Sequence, residues 1–557
     1  MNYRWEYNTE EGVDYRQKIF LERGLLTEEA KAEFLSEKPK KTYPPEMILN
    51  MGRAVDCILK HIDLGNKIVI AGDYDMDGIG AVAVLVEYLT FLQAQVAYYI
   101  PNRYVEGYGL SIESIDAIQR EHEPQLLITV DNGISCVKEV AYAKSLGIEV
   151  IVTDHHMPPE ILPEALILNV KQEGDLYPFK ELCGCGLAFK LCQALKNRLK
   201  LDKGHLNALL DIVALSTIGD VVTLKDENRT LVKYGLHQIK SGRRLGIRSL
   251  VEALEMDLNS IRSGAIGFRL APCFNASGRI EDAKIGVKLL LTKDIAEATY
   301  YANYLKNLNE ERKAIQASGE AYCQEQVELK HMGDDFLVIR EDQVSEGVMG
   351  IIAGRIRERY YKPTLVVTKV ENGLLKGSGR SIDGVNIYEE MKACQDLLEG
   401  FGGHANACGF SIKEENLEAL RQALNASMAA RKAESAELFT PAIKVVDNLG
   451  MDDLDFELLD FLAKLEPFGM GNPTPQFALQ DIKIMSKQNY CGEQNQHFKL
   501  WGQCQGISIN GIGFQLGEKY LLEGEPQRID VVFSPQVNEW QGKKTIQLSL
   551  KDFKESC

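Results

Sequence analysis

The sequence has no paired CxxC…CxxC zinc spacing, no internal repeat and no low-complexity tail. No apolar run approaches the ~20 residues needed to span a membrane. Its 12 cysteines are scattered, and a chain of 557 residues does not need disulfide staples. Free thiols in a reducing compartment are expected. Cys183-Gly-Cys185 is the one close pair, with no second pair to complete a metal site. The opening residues MNYRWEYNTEEG are polar and acidic, unlike a secretory leader. These absences predict a cytoplasmic protein without a membrane segment. A basic surplus is also missing: 63 Lys+Arg against 80 Asp+Glu leave a net charge of −17. That excludes a generic nucleic-acid coat, but not an enzyme gripping a strand in a local basic groove.

Hydrophobic residues at 45% and charged residues at 26% are ordinary for a globular protein. The length predicts three or four domains at roughly 100–200 residues each. Residues 1–48 form an N-terminal extension with a helix capped at Thr27. From Asn66, short apolar runs (KIVIAG, VAYYI, LLITV, EVIVT) alternate with helical stretches, as in a parallel, doubly wound sheet. This catalytic-type domain, with its helical part, is placed at 49–290. A long charged helix at 291–331 then connects to a second α/β region at 332–445, with strands DFLVIR and TLVVTK. The remaining 446–557 comprises a linker helix and, from Pro473, alternating runs of the kind that form a small β-barrel.

The strongest chemical signal is Gly72-Asp73-Tyr74-Asp75-Met76-Asp77-Gly78, three acids at the end of a strand before a glycine-rich turn into a helix. Ligands of open α/β sheets bind at the carboxyl ends of strands. Two more strands end similarly, in Asp131-Asn132-Gly133 and Asp154-His155-His156, and Asp220 follows an apolar helix. Crowded carboxylates repel, and divalent cations relieve the cost; hard oxygen donors suit Mg²⁺ or Mn²⁺. The set suffices for two ions sharing a bridging carboxylate, an arrangement that activates water against a phosphoryl group. Glycine-rich stretches ending in basic residues add phosphate-binding candidates: Asn102-Arg103, Asn275-Ala-Ser-Gly-Arg279, Gly377-Ser378-Gly-Arg380-Ser381 and Gly402-Gly-His404. Each is read as a loop.

The order GDYDMDG, VDNG, TDHH, GD resembles the four motifs of the DHH phosphoesterases. The NASGR, GSGRS and GGHANACG segments, the length and the C-terminal module resemble the RecJ branch of that family. The resemblance implies an α/β DHH domain and an α/β DHH-associated domain facing it across a cleft, with a C-terminal OB-like barrel approached through PFGMGNPTPQF (467–477). It implies two divalent cations, Mn²⁺ or Mg²⁺, held by Asp75, Asp77, Asp131, His155 and Asp220, with Asp131 bridging. Asp73 is then a supporting acid, Asp154 orients His155, and His156 faces the scissile phosphate. Arg103, Asn275, Arg279, Ser378, Arg380 and His404 become candidates for holding the strand, with Arg355 and Gln316 in the same groove. Met76 departs from the small residue usual at its position. Phe498, Trp501 and Phe514 are candidate base-stackers or, equally, barrel core. The implied activity is 5′→3′ hydrolysis of single-stranded DNA to mononucleotides, in repair and recombination. A helicase and a single-strand-binding protein are partners by resemblance only. The rivals are a DHH phosphodiesterase for short RNA or dinucleotides, and an inactive replication scaffold.

Overall fold

The computed structural model describes residues 2–10, 12–102, 106, 109–370, 373–486, 488–540 and 542–556. The chain forms two compact units. One comprises residues 32–312 and 467–473; the other comprises 1–31, 313–466 and 474–557.

The first unit contains helix α1 (Met51–Asp63), strand β1 (Lys67–Ala71), helix α2 (Met76–Phe91) and strands β2 (Gln95–Tyr99), β3 (Leu126–Val130), β4 (Glu149–Thr153) and β5 (Leu166–Leu168). The strands pair in the order β2-β1-β3-β4-β5, all parallel. Near-continuous Val, Ile and Leu runs suit strands covered on both faces. Ile68, Ile70, Ile128 and Ile151 enter the core on one face, and Val69, Leu127, Val150 and Val152 the core on the other. Strand order reverses across β1 and β3, which opens the crevice where such sheets bind ligands. Helices α3 (Gly184–Leu199), α4 (Leu210–Gly219) and α5 (Ala271–Ile280) complete the apolar packing around α2. Helix α2 begins at Met76, so Asp77 and Gly78 lie in its first turn rather than in a glycine-rich turn before it.

Helix α6 (Ile295–Gln326) is the long charged helix, and its residues from Lys313 onward belong to the second unit. That unit carries β6 (Leu337–Arg340), α7 (Glu346–Tyr360), β7 (Thr364–Lys369), β8 (Leu374–Arg380), β9 (Leu398–His404) and β10 (Ala407–Lys413). The sheet order is β9-β10-β8-β7-β6, with only β6 and β7 parallel. Strands β11 (Phe477–Ile484), β12 (Tyr490–Cys491), β13 (His497–Cys504), β14 (Ile507–Gly513), β15 (Arg528–Trp540) and β16 (Lys543–Glu555) follow. The added pairing of β11 with β13 closes a five-stranded OB-like barrel.

Three expected glycine loops are regular structure instead. GSGR lies in β8, where a side chain on Gly377 would meet the Phe410 ring at 2.2 Å. GGH ends β9 and turns back into β10. NASGR lies in helix α5, and Gly278 rests against the Tyr74 carbonyl, where a Cβ would lie at 2.3 Å. Glycine in these places serves close packing, which composition alone does not separate from loop flexibility. The PFGMGNP segment is not simply the approach to the barrel. It packs on the first unit, where Leu224 N donates to the Met470 carbonyl (2.8 Å) and Ser263 Oγ to that of Phe468 (2.6 Å).

Candidate metal centre

The carboxyl ends of β1, β3 and β4 deliver the acids and histidines to one place. Asp75 caps α2, its Oδ1 accepting from the backbone N–H groups of Asp77 (2.9 Å) and Gly78 (3.1 Å). Asp77 is buried, and its carboxylate accepts from the N–H groups of Gly184 (2.5 Å) and Cys185 (2.9 Å) at the start of α3. Asp131 follows β3 in a left-handed conformation, φ 60°, rare for a residue with a side chain. Its N–H is held by the Thr153 carbonyl at 3.0 Å, so the strained turn is tied to the end of β4. Asp220 caps the end of α4.

His155 Nε2 lies 3.1 Å from Asp131 Oδ1, 3.7 Å from Asp220 Oδ2 and 3.8 Å from Asp77 Oδ2. Three overlapping sets of potential ligand atoms result: Asp77, His155 and Asp220; Asp73, Asp75 and Asp131; and Asp131, His155 and His156. Asp131 is common to two of them.

Electrostatics mark the same cluster. Burial first, then Asp77, Asp75 and Asp220, raises the Asp131 carboxyl well above its ordinary range. Burial and the Asp75 charge push Asp77 up to about 6, and burial with Asp77 and Asp75 pushes Asp220 up to about 9. His155 is driven down to about 3, mainly by burial and then by His156. Asp131 Oδ1 and Asp220 Oδ2 are buried and accept no hydrogen bond. Buried oxygens left this way are costly. An all-oxygen and imidazole set with unsatisfied lone pairs fits two divalent cations.

The histidine pair is arranged differently from expectation. Asp154 orients His156, not His155: its Oδ1 lies 2.7 Å from His156 Nδ1 and accepts the His156 N–H at 3.1 Å. The reason is local, because the chain turns after β4 and brings residue 156 back over 154, while Asp154 Oδ2 takes the Ile134 N–H at 2.9 Å. Burial disfavours a His156 cation, but the Asp154 hydrogen bond and charge outweigh it and hold its pKa above the usual value.

Sequence reasoning missed the start of α3. Cys183-Gly184-Cys185 gives Asp77 two backbone donors, and a side chain on Gly184 would meet Asp131 Cβ at 2.7 Å. Burial keeps both thiols neutral, their pKa values raised well above normal. The available signal was a small-residue run opening a helix, which reads as a donor site as well as a cysteine pair. Met76 fits beneath the loop because Gly219 opposite it has no side chain.

The proposed strand-holding residues divide. Asn275 Oδ1 accepts the Met76 N–H at 2.7 Å, so this oxygen braces the metal loop from α5, near the end where Arg279 lies half-buried. In the second unit, Arg380 Nη1 donates to Ser378 Oγ (3.2 Å) and the Gly379 carbonyl (2.7 Å). The guanidinium crosses α7 at Gly350, where a Cβ would lie 2.7 Å from it. Arg355 is exposed and pairs with Glu358 at 3.0 Å instead. Gln316 is half-buried on α6, and His404 is exposed at the end of β9. Arg103 lies outside the described residues.

Comparison with known proteins follows the same division into domains. The DHH family, N-terminal domain, matches residues 67–217; the DHHA1 domain matches 333–430; and the RecJ OB domain matches 447–552. The single-stranded-DNA-specific exonuclease RecJ of Escherichia coli K12 is 32% identical over 96% of this chain and 94% of its own length. The chain belongs to the RecJ family. Bacillus subtilis RecJ is 37% identical over 96% of this chain and 67% of its own length. The crystal structure of Thermus thermophilus RecJ in complex with Mn²⁺ superposes with a TM-score of 0.83 at 28% identity, covering 99% of this chain and 79% of that one. The RecJ fold thus comprises the parallel-sheet domain, the mixed-sheet domain and the OB barrel found here, and a RecJ with Mn²⁺ bound matches the donor set's preference for hard cations.

Proposed function

We propose that this protein is a metal-dependent exonuclease specific for single-stranded DNA, hydrolysing its phosphodiester bonds. One observation carries the reading: a largely buried cluster of Asp77, Asp131, His155 and Asp220, whose crowded carboxyls hold protons unless cations replace them, in a chain of the RecJ family. Attack from the 5′ end, release of mononucleotides and a role in repair and recombination extend the same reading through the family resemblance.

Asp75, Asp77, Asp131, His155 and Asp220 would hold two divalent cations, Mn²⁺ or Mg²⁺, with Asp131 shared and Asp73 in support. Such ions supply Lewis acidity and an activated water at neutral pH. The Gly184 and Cys185 N–H groups fix the Asp77 carboxylate so that it does not reorganise during turnover. His156, braced by Asp154 and with its side chain 40% exposed, is placed to give a proton to the leaving oxygen. Ser378 and Arg380 offer a hydroxyl and a guanidinium to a strand phosphate. Arg279 and Arg103 are further candidates for that contact. Exposed Trp501 and Phe514 on the barrel serve as stacking platforms for bases. A cytoplasmic location beside DNA, with a helicase and a single-strand-binding protein as partners, belongs to the same proposal. Among the described residues no helix is long and apolar enough to cross a membrane.

The test is a gel assay with Mn²⁺ on a 3′-labelled single strand of about 30 nucleotides, beside its duplex, an RNA copy and a dinucleotide. Stepwise shortening of the single-stranded DNA alone is expected. Preference for RNA or the dinucleotide would overturn the substrate, and inactivity on all of them the enzyme.

A further inference from the structure

A second set of ligand-type side chains lies at the other end of the parallel sheet. Cys57 and His61 are four residues apart on α1 and therefore share a face. Glu149 opens β4, whereas Asp154 lies just past the far end of that strand. Five residues at ~3.3 Å each separate the two ends by about 16 Å. The Cys57 sulfur, a His61 ring nitrogen and a Glu149 carboxylate oxygen all lie within 4.8 Å of one another. His61 Nε2 is 3.1 Å from Glu149 Oε2, and Asn66 Nδ2 is 3.0 Å from His61 Nδ1. Cys57 and His61 are buried, while the Glu149 side chain is 44% exposed and leaves a route from solvent.

We propose that Cys57, His61 and Glu149 form a second cation site, for one thiophilic divalent ion of the zinc class. Thiolate, imidazole and carboxylate are the donors such an ion takes, with water in the fourth position. The hard cations suited to the carboxylate cluster have little preference for sulfur, so the two sites sort different metals. Asn66 provides the outer hydrogen-bond partner that metal-bound histidines use. Without the ion, burial, then the hydrogen bond and charge of Glu149, push the thiol up to about 12, and the donors satisfy one another. On binding, the thiol proton leaves to solvent. The ring proton moves to Nδ1, where the rotated Asn66 amide presents its oxygen. Lys60, 3.2 Å from the same Glu149 oxygen and 59% exposed, swings into water. The ion then ties α1 to β4 without entering the chemistry at the opposite edge.

The test is titration of the full-length protein with Co²⁺, followed by the near-ultraviolet thiolate-to-cobalt charge-transfer band. The band is expected to saturate at one equivalent and to persist in Asp77→Asn, whose carboxylate cluster is disabled. It is expected to vanish in Cys57→Ser and, because Glu149 is a direct ligand, to need more than the ~100-fold extra Co²⁺ of an outer-sphere change in Glu149→Gln. Cys57→Ser is expected to keep parental exonuclease activity with Mn²⁺. Absence of the band in the parent, its survival in Cys57→Ser, or an unchanged titration in Glu149→Gln overturns the proposal. Zn²⁺ is also expected to raise the Tm of Asp77→Asn but not of the double variant with Cys57→Ser; an equal rise in both overturns it as well.

Discussion

The sheet edge of the first unit and the β8–α7 face of the second solve opposite electrostatic problems. The first gathers Asp77, Asp131 and Asp220 around one imidazole, with Asp75 capping the adjoining helix, and leaves buried oxygens without donors. The second holds half-buried Arg380 beside Ser378, and its pKa is lowered chiefly by desolvation, with Arg357 adding to the effect. Desolvated charge is expensive in either sign, so the proposed function predicts that the first place takes cations and the second an anion. The two places also differ in which atoms do the holding. Backbone N–H donors and a strained turn fix the acids, whereas a backbone carbonyl, a hydroxyl and a helix surface fix the arginine.

The largest effect should come from Asp131→Asn, which keeps the shape and removes the shared charge. Activity is expected to fall by roughly 10³-fold or more, beyond the ~10–100-fold typical of outer-sphere changes. The metal-free Tm is expected to rise near neutral pH, because the amide, unlike the displaced carboxyl, need not take up a proton on folding. Initial rates with saturating Mn²⁺, with melting in EDTA, check both; a normal rate would break the shared-ligand assignment.

Metal dependence should follow pH with a fixed sign. Asp77 and Asp220 rise from 3.8 in the unfolded chain to about 6 and about 9 in the fold. These carboxyls, with Asp131, therefore bind more protons folded than unfolded, outweighing the one that buried His155 gives up below 6.5, and metal-free stability drops as pH climbs from about 4 to about 9. Cations displace those protons, so Mn²⁺ should raise the Tm more at about pH 8.5 than at about pH 5.5. Melting curves at the two values decide it, and an equal rise would detach the carboxylates from metal binding.

Arg380→Ala should act on the other half of the comparison. Loss of a charge-assisted contact costs about 1.5–3 kcal/mol, or roughly 10–150-fold in KM, with kcat little changed. Arg380→Lys should recover only part, because a point charge does not reproduce the planar fork. A fall in kcat with unchanged KM would move Arg380 from binding to chemistry.

The acids were legible in the sequence because each sits at the end of an apolar strand, and strand ends of a parallel sheet share one edge. Asp220 was legible for a related reason, as the end of the apolar helix Leu210–Gly219. What escaped were contacts made by backbone and by absence of side chains. No residue letter announces that Gly184 donates to Asp77, or that Gly278 and Gly377 are packing surfaces rather than loops. The partner of Asp154 escaped too, since neighbouring histidines compete for one carboxylate and only the turn geometry chooses His156.

Strand periodicity sorts the barrel aromatics into core and surface. In β13, Phe498, Leu500 and Cys504 point inward while Lys499 and Trp501 point out, the period-two alternation of a half-buried strand. Phe498 is fully buried against Tyr520 and Phe553, so it fills the core and does not stack bases. Trp501 and Phe514 are 52% and 60% exposed. Phe498→Ala should therefore cost about 3–5 kcal/mol of stability. Trp501→Ala should leave the Tm within a degree or two and weaken binding of long single strands by about 1–3 kcal/mol. Cleavage of strands too short to reach the barrel should be untouched. This is the smallest expected effect and the sharpest one, since it separates binding from catalysis within a single residue: a Trp501→Ala protein that binds a 30-nucleotide strand as tightly as the parent would leave the barrel without its stacking role.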